Sequence, residues 1–379
     1  MKIVHINLCA RLNPAEGAYC KQRAGLEKLF WSDHLYPEKP DTASDPPQVR
    51  DAKLQAYRNA KAALQLEWIH MLESWTVLLI RRALEKAIKI DREKNAVTDL
   101  YLVTLPESYW CDTEPPGRLH IDPAGRAISD YHNPLYETSV ADLLFYRTGE
   151  GTLSGLSAAN IAIFAGTIWW KSTNAAGQDT IYNTAPVFHN SACQFLWDKQ
   201  LLSKVDGLGS DAQNRKLHKW FDARNTAFSQ AGLPAAANIE QINDNAMKFI
   251  QLQRRGFISP LTARLNHHAL PQFNLTTASF SLSIGLDICK DFIGAVSHQL
   301  LPAPPHIQVV LSNGVAFRNP VSFYATAFLF VCDMAEACLT TAAVDPSSDK
   351  SIAVQLNTTN SARPLADTIF LISPQLDLV

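Results

Sequence analysis

The sequence predicts an α/β protein built from layered sheets and helices, and three observations carry that prediction. Apolar, β-branched runs of strand length recur at 1–8, 100–105, 161–170, 180–188, 194–197, 279–288 and 306–312. Between the first two lies a long segment, 51–94, whose apolar residues fall largely at the three- and four-residue steps of a helix. Apolar residues make up 47 % of the 379 residues and charged residues only 18 %, below the roughly 25 % of an average globular protein. Such a sequence is able to bury a large core, and strands alternating with helices imply stacked layers.

The elements follow in order. Residues 1–8 alternate as a strand. Residues 36–50, with four prolines among Asp, Ser and Thr, read as a loop. From Asp51 to about Lys94 the stripe Leu54, Tyr57, Leu64, Trp68, Met71, Leu72, Trp75, Leu79 and Leu84 marks a helix. Unbroken it would span about 65 Å, a length that allows for a break or two. Leu100–Leu105 is a buried strand halted by Pro106. Residues 111–135 are loop, and 137–158 have no clear period. Ile161–Trp170 reads as one strand, Asn174–Asp179 as a turn, and Thr180–Phe188 with Gln194–Trp197 as a hairpin about 189–191. Ser203–Pro271 is polar and helical in pieces, an insertion by its pattern. Ser279–Ile288 and His306–Ser312 are further strands, and the last hundred residues mix strand and helix. A single domain over 1–379 is expected, with helical elaborations at about 50–94 and 203–271.

Several classes are disfavoured. Lys plus Arg is 34 against 36 Asp plus Glu, a net charge of −2, so no nucleic-acid partner is expected. The N-terminal residues carry no long apolar run of a signal peptide. The most apolar helical stretch, Trp75–Ile80, meets Arg81 and Arg82, too short for a membrane span. The seven cysteines include no CxxC pair, so reduced thiols and a cytoplasmic location are expected, with export by a route lacking a cleaved signal as the alternative. No P-loop and no GxGxxG occurs.

Three strand ends each deliver a reactive group. Leu105-Pro106-Glu107 places a carboxylate where a buried strand exits. Leu196-Trp197-Asp198-Lys199-Gln200-Leu201 places an ammonium after a hairpin strand. Gly285-Leu286-Asp287-Ile288-Cys289-Lys290-Asp291 places a thiol where another buried strand exits. A sheet fixes groups at strand ends while the following loops admit a ligand.

In these segments (LVTLPESYW, FLWDKQLL and GLDICKD) the protein resembles the carbon–nitrogen hydrolase, or nitrilase/amidase, superfamily. That family carries a Glu, a Lys and a Cys in this order, in "PE", "(Y/W)xKxxL" and "GxxICxD" contexts. The strand at 164–169 and Tyr182-Asn183-Thr184-Ala185, similar to the family's "NxA" strand, support the likeness over roughly 97–315. The sequence departs from the pattern in its long N-terminal helical stretch, in the wide interval between Lys199 and Cys289, and in Lys290 after the cysteine. Glu240, the only glutamate in that interval, does not match the context of the family's second glutamate.

The resemblance implies a four-layer α-β-β-α sandwich and a homodimer. It also implies hydrolysis of an amide or nitrile, a carbon–nitrogen bond outside the peptide backbone, without metal or organic cofactor. Cys289 would be the nucleophile, Glu107 the acid and base, and Lys199 the electrophilic stabiliser, joined by the backbone N–H of Lys290 at the oxyanion. The chemistry suits the residue types. Amides and nitriles are poor electrophiles, and a thiol splits their hydrolysis into two easier steps. A nearby cation favours the thiolate and the developing oxyanion, and a carboxylate can shuttle the proton. Tyr109, Trp110, Phe292 and Asn313 are pocket-wall candidates by adjacency alone.

Other readings stand beside this one. Asp291 would cap the turn after Cys289. Cys111, Cys332 and Cys338 read as structural. His189, His298 and His306 stand in no context that pairs them with a cysteine, and His218, His267 and His268 lack further ligands at metal spacing. The apolar stripe of 51–94 packs on the sheet or on a protein partner. The alternative to a hydrolase is a scaffold or effector that keeps the fold and binds a protein through its inserted helices.

Overall fold

The computed structural model describes residues 1–8, 25–26, 28–30, 32–33, 37–94, 97–107, 160–173, 179–189, 192–202, 224–258, 270–312, 324–333, 341–343, 363–366 and 369–372. Within them two separate sheets form a mixed α/β fold. The first contains β1 (Ile3–Leu8), β2 (Leu100–Leu105), β3 (Ile161–Ala165), β4 (Ile168–Thr173), β5 (Asp179–His189), β6 (Ala192–Asp198), β12 (Arg363–Ala366) and β13 (Ile369–Ile372). The second contains β7 (Gln272–Thr276), β8 (Ser281–Ile288), β9 (Ile307–Ser312), β10 (Phe328–Asp333) and β11 (Thr341–Ala343). The parallel strands β1, β2 and β3 form the middle of the first sheet, and β8, β9 and β10 the middle of the second. Antiparallel strands flank both sets.

Side-chain alternation explains how the sheets meet. Leu100 and Leu102 of β2, Ala162 and Phe164 of β3, and Ala185 and Val187 of β5 belong to one apolar cluster. Leu282, Ile284, Leu286 and Ile288 of β8, Ile307, Val309 and Leu311 of β9, and Phe328 and Phe330 of β10 belong to the same cluster. Each set repeats every second residue, so the two sheets bury one face against each other. His5 stacks on Phe330, the Asn7 amide donates to the Val331 carbonyl, and Phe164 meets Phe273 edge-on. The alternate residues of the second sheet, Val310, Leu329 and Val331, pack with Phe292 on its other face. On the far side of the first sheet, Tyr101 donates its hydroxyl to Asp91 of helix α1 (Pro47–Glu93).

Helix α1 runs unbroken for 47 residues, about 70 Å at 1.5 Å per residue. The break that its length allowed for is absent because no Gly or Pro follows Pro47 within it. Pro47 itself occupies the first helical position, where a missing N–H costs nothing. The expected strand 161–170 is interrupted. Residues 162–164 pair with 189–187, whereas 168–173 pair with 184–179, a register slip of one residue. Gly166, with φ 71°, turns the backbone there as glycine permits.

The region expected as a helical insertion packs into the body. Helix α2 (Ile239–Arg254) is capped by Asn238, whose side chain accepts from the Gln241 N–H. It contributes Ile239, Ile242, Ala246, Phe249 and Ile250 to the same core as the sheets. The sequence pattern does not mark strand β7. Its residues alternate buried and exposed against β8, but QFNLT has only two large apolar side chains. The segments 111–135 and 137–158 lie outside the described residues. No described helix is long and apolar enough to cross a membrane.

Candidate functional site

Glu107 lies two residues beyond β2, where Pro106 ends the ladder, and it is buried. Its Oε1 accepts from Lys199 Nζ at 2.7 Å and from Asn183 Nδ2 at 2.7 Å. Lys199 is equally buried, 1 % exposed. The period of β6 explains its direction: Phe195, Trp197 and Lys199 are two residues apart, and the first two lie in the inter-sheet core. The same logic aligns Asn183 with Ala185 and Val187. Two residues remote in sequence thus form an ion pair with almost no solvent, where an unpaired charge would be strongly disfavoured.

The Lys199 loop is fixed along its backbone. The Lys199 N–H donates to the Asn183 carbonyl at 2.8 Å. Arg224, also buried, donates to the carbonyls of Gln200 and Lys199. Asn243 of α2 both donates to and accepts from the backbone of Leu202. Asp291 accepts from the N–H groups of Gln200 and Leu201 at 2.7 to 3.0 Å. Burial pushes the Asp291 carboxyl well above the usual carboxylate range, while these N–H bonds and the positive charge of Lys199 act against that shift.

Asp291 belongs to the turn that holds Cys289. That residue follows β8 directly and caps the one-turn helix α3 (Lys290–Ile293). Its backbone has φ 48° and ψ −100°. A non-glycine residue on this side of the Ramachandran map is held there by its surroundings at a cost of about 1–3 kcal/mol. Two supports are visible. The Cys289 N–H donates to the Leu311 carbonyl at 2.8 Å, and the carboxylate two residues on grips the Lys199 loop. Gly294 allows the close approach: a Cβ there would lie 2.2 Å from Leu201 Cδ1. Sharp strand-to-helix turns of this kind present the turn residue at the end of a sheet. Behind it, Asp287 accepts from the Ser297 N–H, in helix α4 (Val296–Leu300), and from Gln308. Burial raises its carboxyl to about 6.

The structure therefore pairs Glu107 with Lys199 and ties the loop of Lys199 to the turn of Cys289. Lys290 opens α3, where a first-turn N–H has no intrahelical partner. Phe292 sits in the apolar cluster with Val310, Leu329 and Val331, so core packing accounts for its burial. Tyr109, Trp110 and Asn313 lie outside the described residues. Glu240 is on the exposed side of α2. Cys332 is buried in the inter-sheet core, and its thiol donates to the Thr104 carbonyl.

Asp291 does more than cap its own turn, and three further side chains join the site: Asn183, which the sequence offers only as part of the NxA likeness, and Arg224 and Asn243, which no motif marks. For Asn183 a signal existed: its place in the alternation of β5. Arg224 and Asn243 stand in a polar stretch that offers none. Among the described residues no cluster of three His, Cys, Asp or Glu side chains could hold a metal ion. In comparisons with known proteins, no family model and no curated protein matches the sequence.

Proposed function

We propose that the protein is a thiol-dependent hydrolase of the amidase/nitrilase type, with Cys289 as nucleophile, Glu107 as acid and base and Lys199 as electrophilic stabiliser. One observation carries this reading. The lysine of a buried Glu–Lys pair stands on a loop bonded by Asp291 to the strained turn of Cys289, which directly follows β8. The stacking of two sheets with α1 on one outer face and α3 on the other supports the four-layer sandwich that the motifs suggest.

In the proposed reaction the Cys289 sulfur attacks the amide carbon as its proton passes to Glu107. Lys199 Nζ and the Lys290 N–H hold the oxygen that becomes negative. The C–N bond breaks as Glu107 returns the proton to nitrogen, and ammonia leaves a thioester. Water then gives a proton to Glu107 while its oxygen attacks the thioester carbon. The C–S bond breaks, the carboxylic acid departs and the sulfur regains its proton. The balance is one carboxamide and one water to one acid and one ammonia. A reduced thiol of this kind fits a reducing, cytoplasmic setting.

The reading is tested by ammonia release across small amides and nitriles, with Cys289→Ala as control. Release that is lost in the variant is expected, and release that survives it overturns the assignment. A second reading, a scaffold of the same fold, is favoured by α1. Its residues 47–60 are exposed apart from half-buried Leu54 and Tyr57. That helix would dock a protein partner or a second copy, and a protein without ammonia release that forms a stable complex through it would support this reading.

A further inference from the structure

The amide of Asn183 is oriented by its neighbours. The Glu107 oxygen that it touches also takes a hydrogen bond from the Lys199 ammonium. A carboxylate oxygen in that position accepts and does not donate, so the Asn183 group facing it is the NH2. The other end, Oδ1, then lies within about 5 Å of Glu107 Oε1, given amide bond lengths of about 1.2 and 1.3 Å. Asn183 is 2 % exposed, and its Oδ1 is buried with no hydrogen-bond partner. Its residue faces the inter-sheet side, as do Ala185 and Val187. Buried polar acceptors are seldom left unsatisfied, and an exception calls for an explanation.

We infer that Asn183 Oδ1 reads an N–H of the ligand, which makes the site selective for primary carboxamides over nitriles and esters. The inference rests on the hydrolase reading above. A carboxamide has one acceptor and two donors on one carbon. Its oxygen answers Lys199 Nζ, and its NH2 answers Asn183 Oδ1. A nitrile or an ester has no N–H to offer, so its binding leaves the acceptor buried and unpaired. Sites built around such an acceptor discriminate against ligands lacking the donor. The same Asn183 holds Glu107 through its NH2, so one side chain positions the acid and base and reads the leaving group.

The test uses two thiol alkylators of nearly equal size, chloroacetamide and chloroacetone, which differ by NH2 in place of CH3. Their rates at Cys289, resolved by peptide mass spectrometry on the full-length protein, are each divided by the rate with free glutathione. The expected ratio favours chloroacetamide on the order of 10- to 100-fold and falls to near one in Asn183→Ala. Should that variant fail to fold, the wild-type ratio decides, together with the isosteric Asn183→Leu. Rapid labelling by both reagents at a ratio near one overturns this inference and leaves the thiol assignment standing. A Cys289 inert to both overturns the two together.

Discussion

Replacing Lys199 by Met removes one charge from an ion pair whose members are 0 and 2 % exposed at their side chains and 2.7 Å apart. At an effective dielectric of about 20, two unit charges at that distance attract by 332/(20 × 2.7), or about 6 kcal/mol, before desolvation is charged against them. Methionine keeps most of the lysine volume, so packing changes little. The loss arises because the Glu107 carboxylate stays buried without the opposite charge of the ammonium, while the Asn183 amide still donates to it. Breaking one side of such a pair costs about 3–5 kcal/mol.

The reverse substitution, Glu107→Gln, costs a similar amount because the buried ammonium loses its charge partner. The double variant removes both charges and should recover much of the loss. Urea unfolding of the four proteins gives the coupling energy directly. A coupling of about 2 kcal/mol or more is expected. If each single variant costs under about 1 kcal/mol and the effects add, the two groups do not share a dry environment. The electrostatic basis of the site then fails.

Three further outcomes are expected. Asp291→Ala leaves the N–H groups of Gln200 and Leu201 without their acceptor, at about 1–3 kcal/mol for each buried group. It should also raise hydrogen exchange of those two amides, and unchanged exchange would refute the clamp. Gly294→Ala places a methyl against Leu201 Cδ1 and should cost about 1–3 kcal/mol, a cost mostly recovered when the same change is made in a Leu201→Ala background. Absence of that recovery would show the contact to be unimportant. His5 is buried, and burial lowers its pKa to about 3, so the folded state keeps it neutral while the unfolded state protonates near 6.5. Its contribution is therefore present above pH 6.5 and lost as pH falls toward 3. Between pH 7 and pH 4, His5→Phe should gain about 3 kcal/mol relative to wild type. A constant difference in unfolding free energy over that range would contradict the burial.

Much of the scaffold is legible in the sequence because its signals are local. Leu100–Leu105 before Pro106, the hairpin of β5 and β6, and Ser281–Ile288 before Cys289 each have a period and a stop. The stop at Gly166 escapes a reading by pattern, since one inserted residue leaves the apolar run intact while shifting its partner register. Strand β7 hides because Gln272, Asn274 and Thr276 dilute its pattern.

At the site, Glu107 and Lys199 can be named from strand ends, and their pairing is what those ends produce. The fastening of the loop is not legible. Arg224 and Asn243 bond to backbone carbonyls and N–H groups, and backbone partners leave no trace in residue identity. Asp291 reads as a cap because its reach to Gln200 crosses 91 positions of sequence.

The proposed hydrolysis requires the Lys199 ammonium and the Glu107 carboxylate to act on the Cys289 sulfur. It is tested most directly by the rate at which iodoacetamide modifies Cys289 at pH 7 in the wild type, Lys199→Met and Glu107→Gln, with every cysteine quantified by mass spectrometry. Cys289 is expected to react at least ~10-fold faster than any other cysteine, and either substitution is expected to remove most of that advantage. Equal rates at all cysteines, or a Cys289 rate indifferent to both substitutions in folded protein, would contradict it.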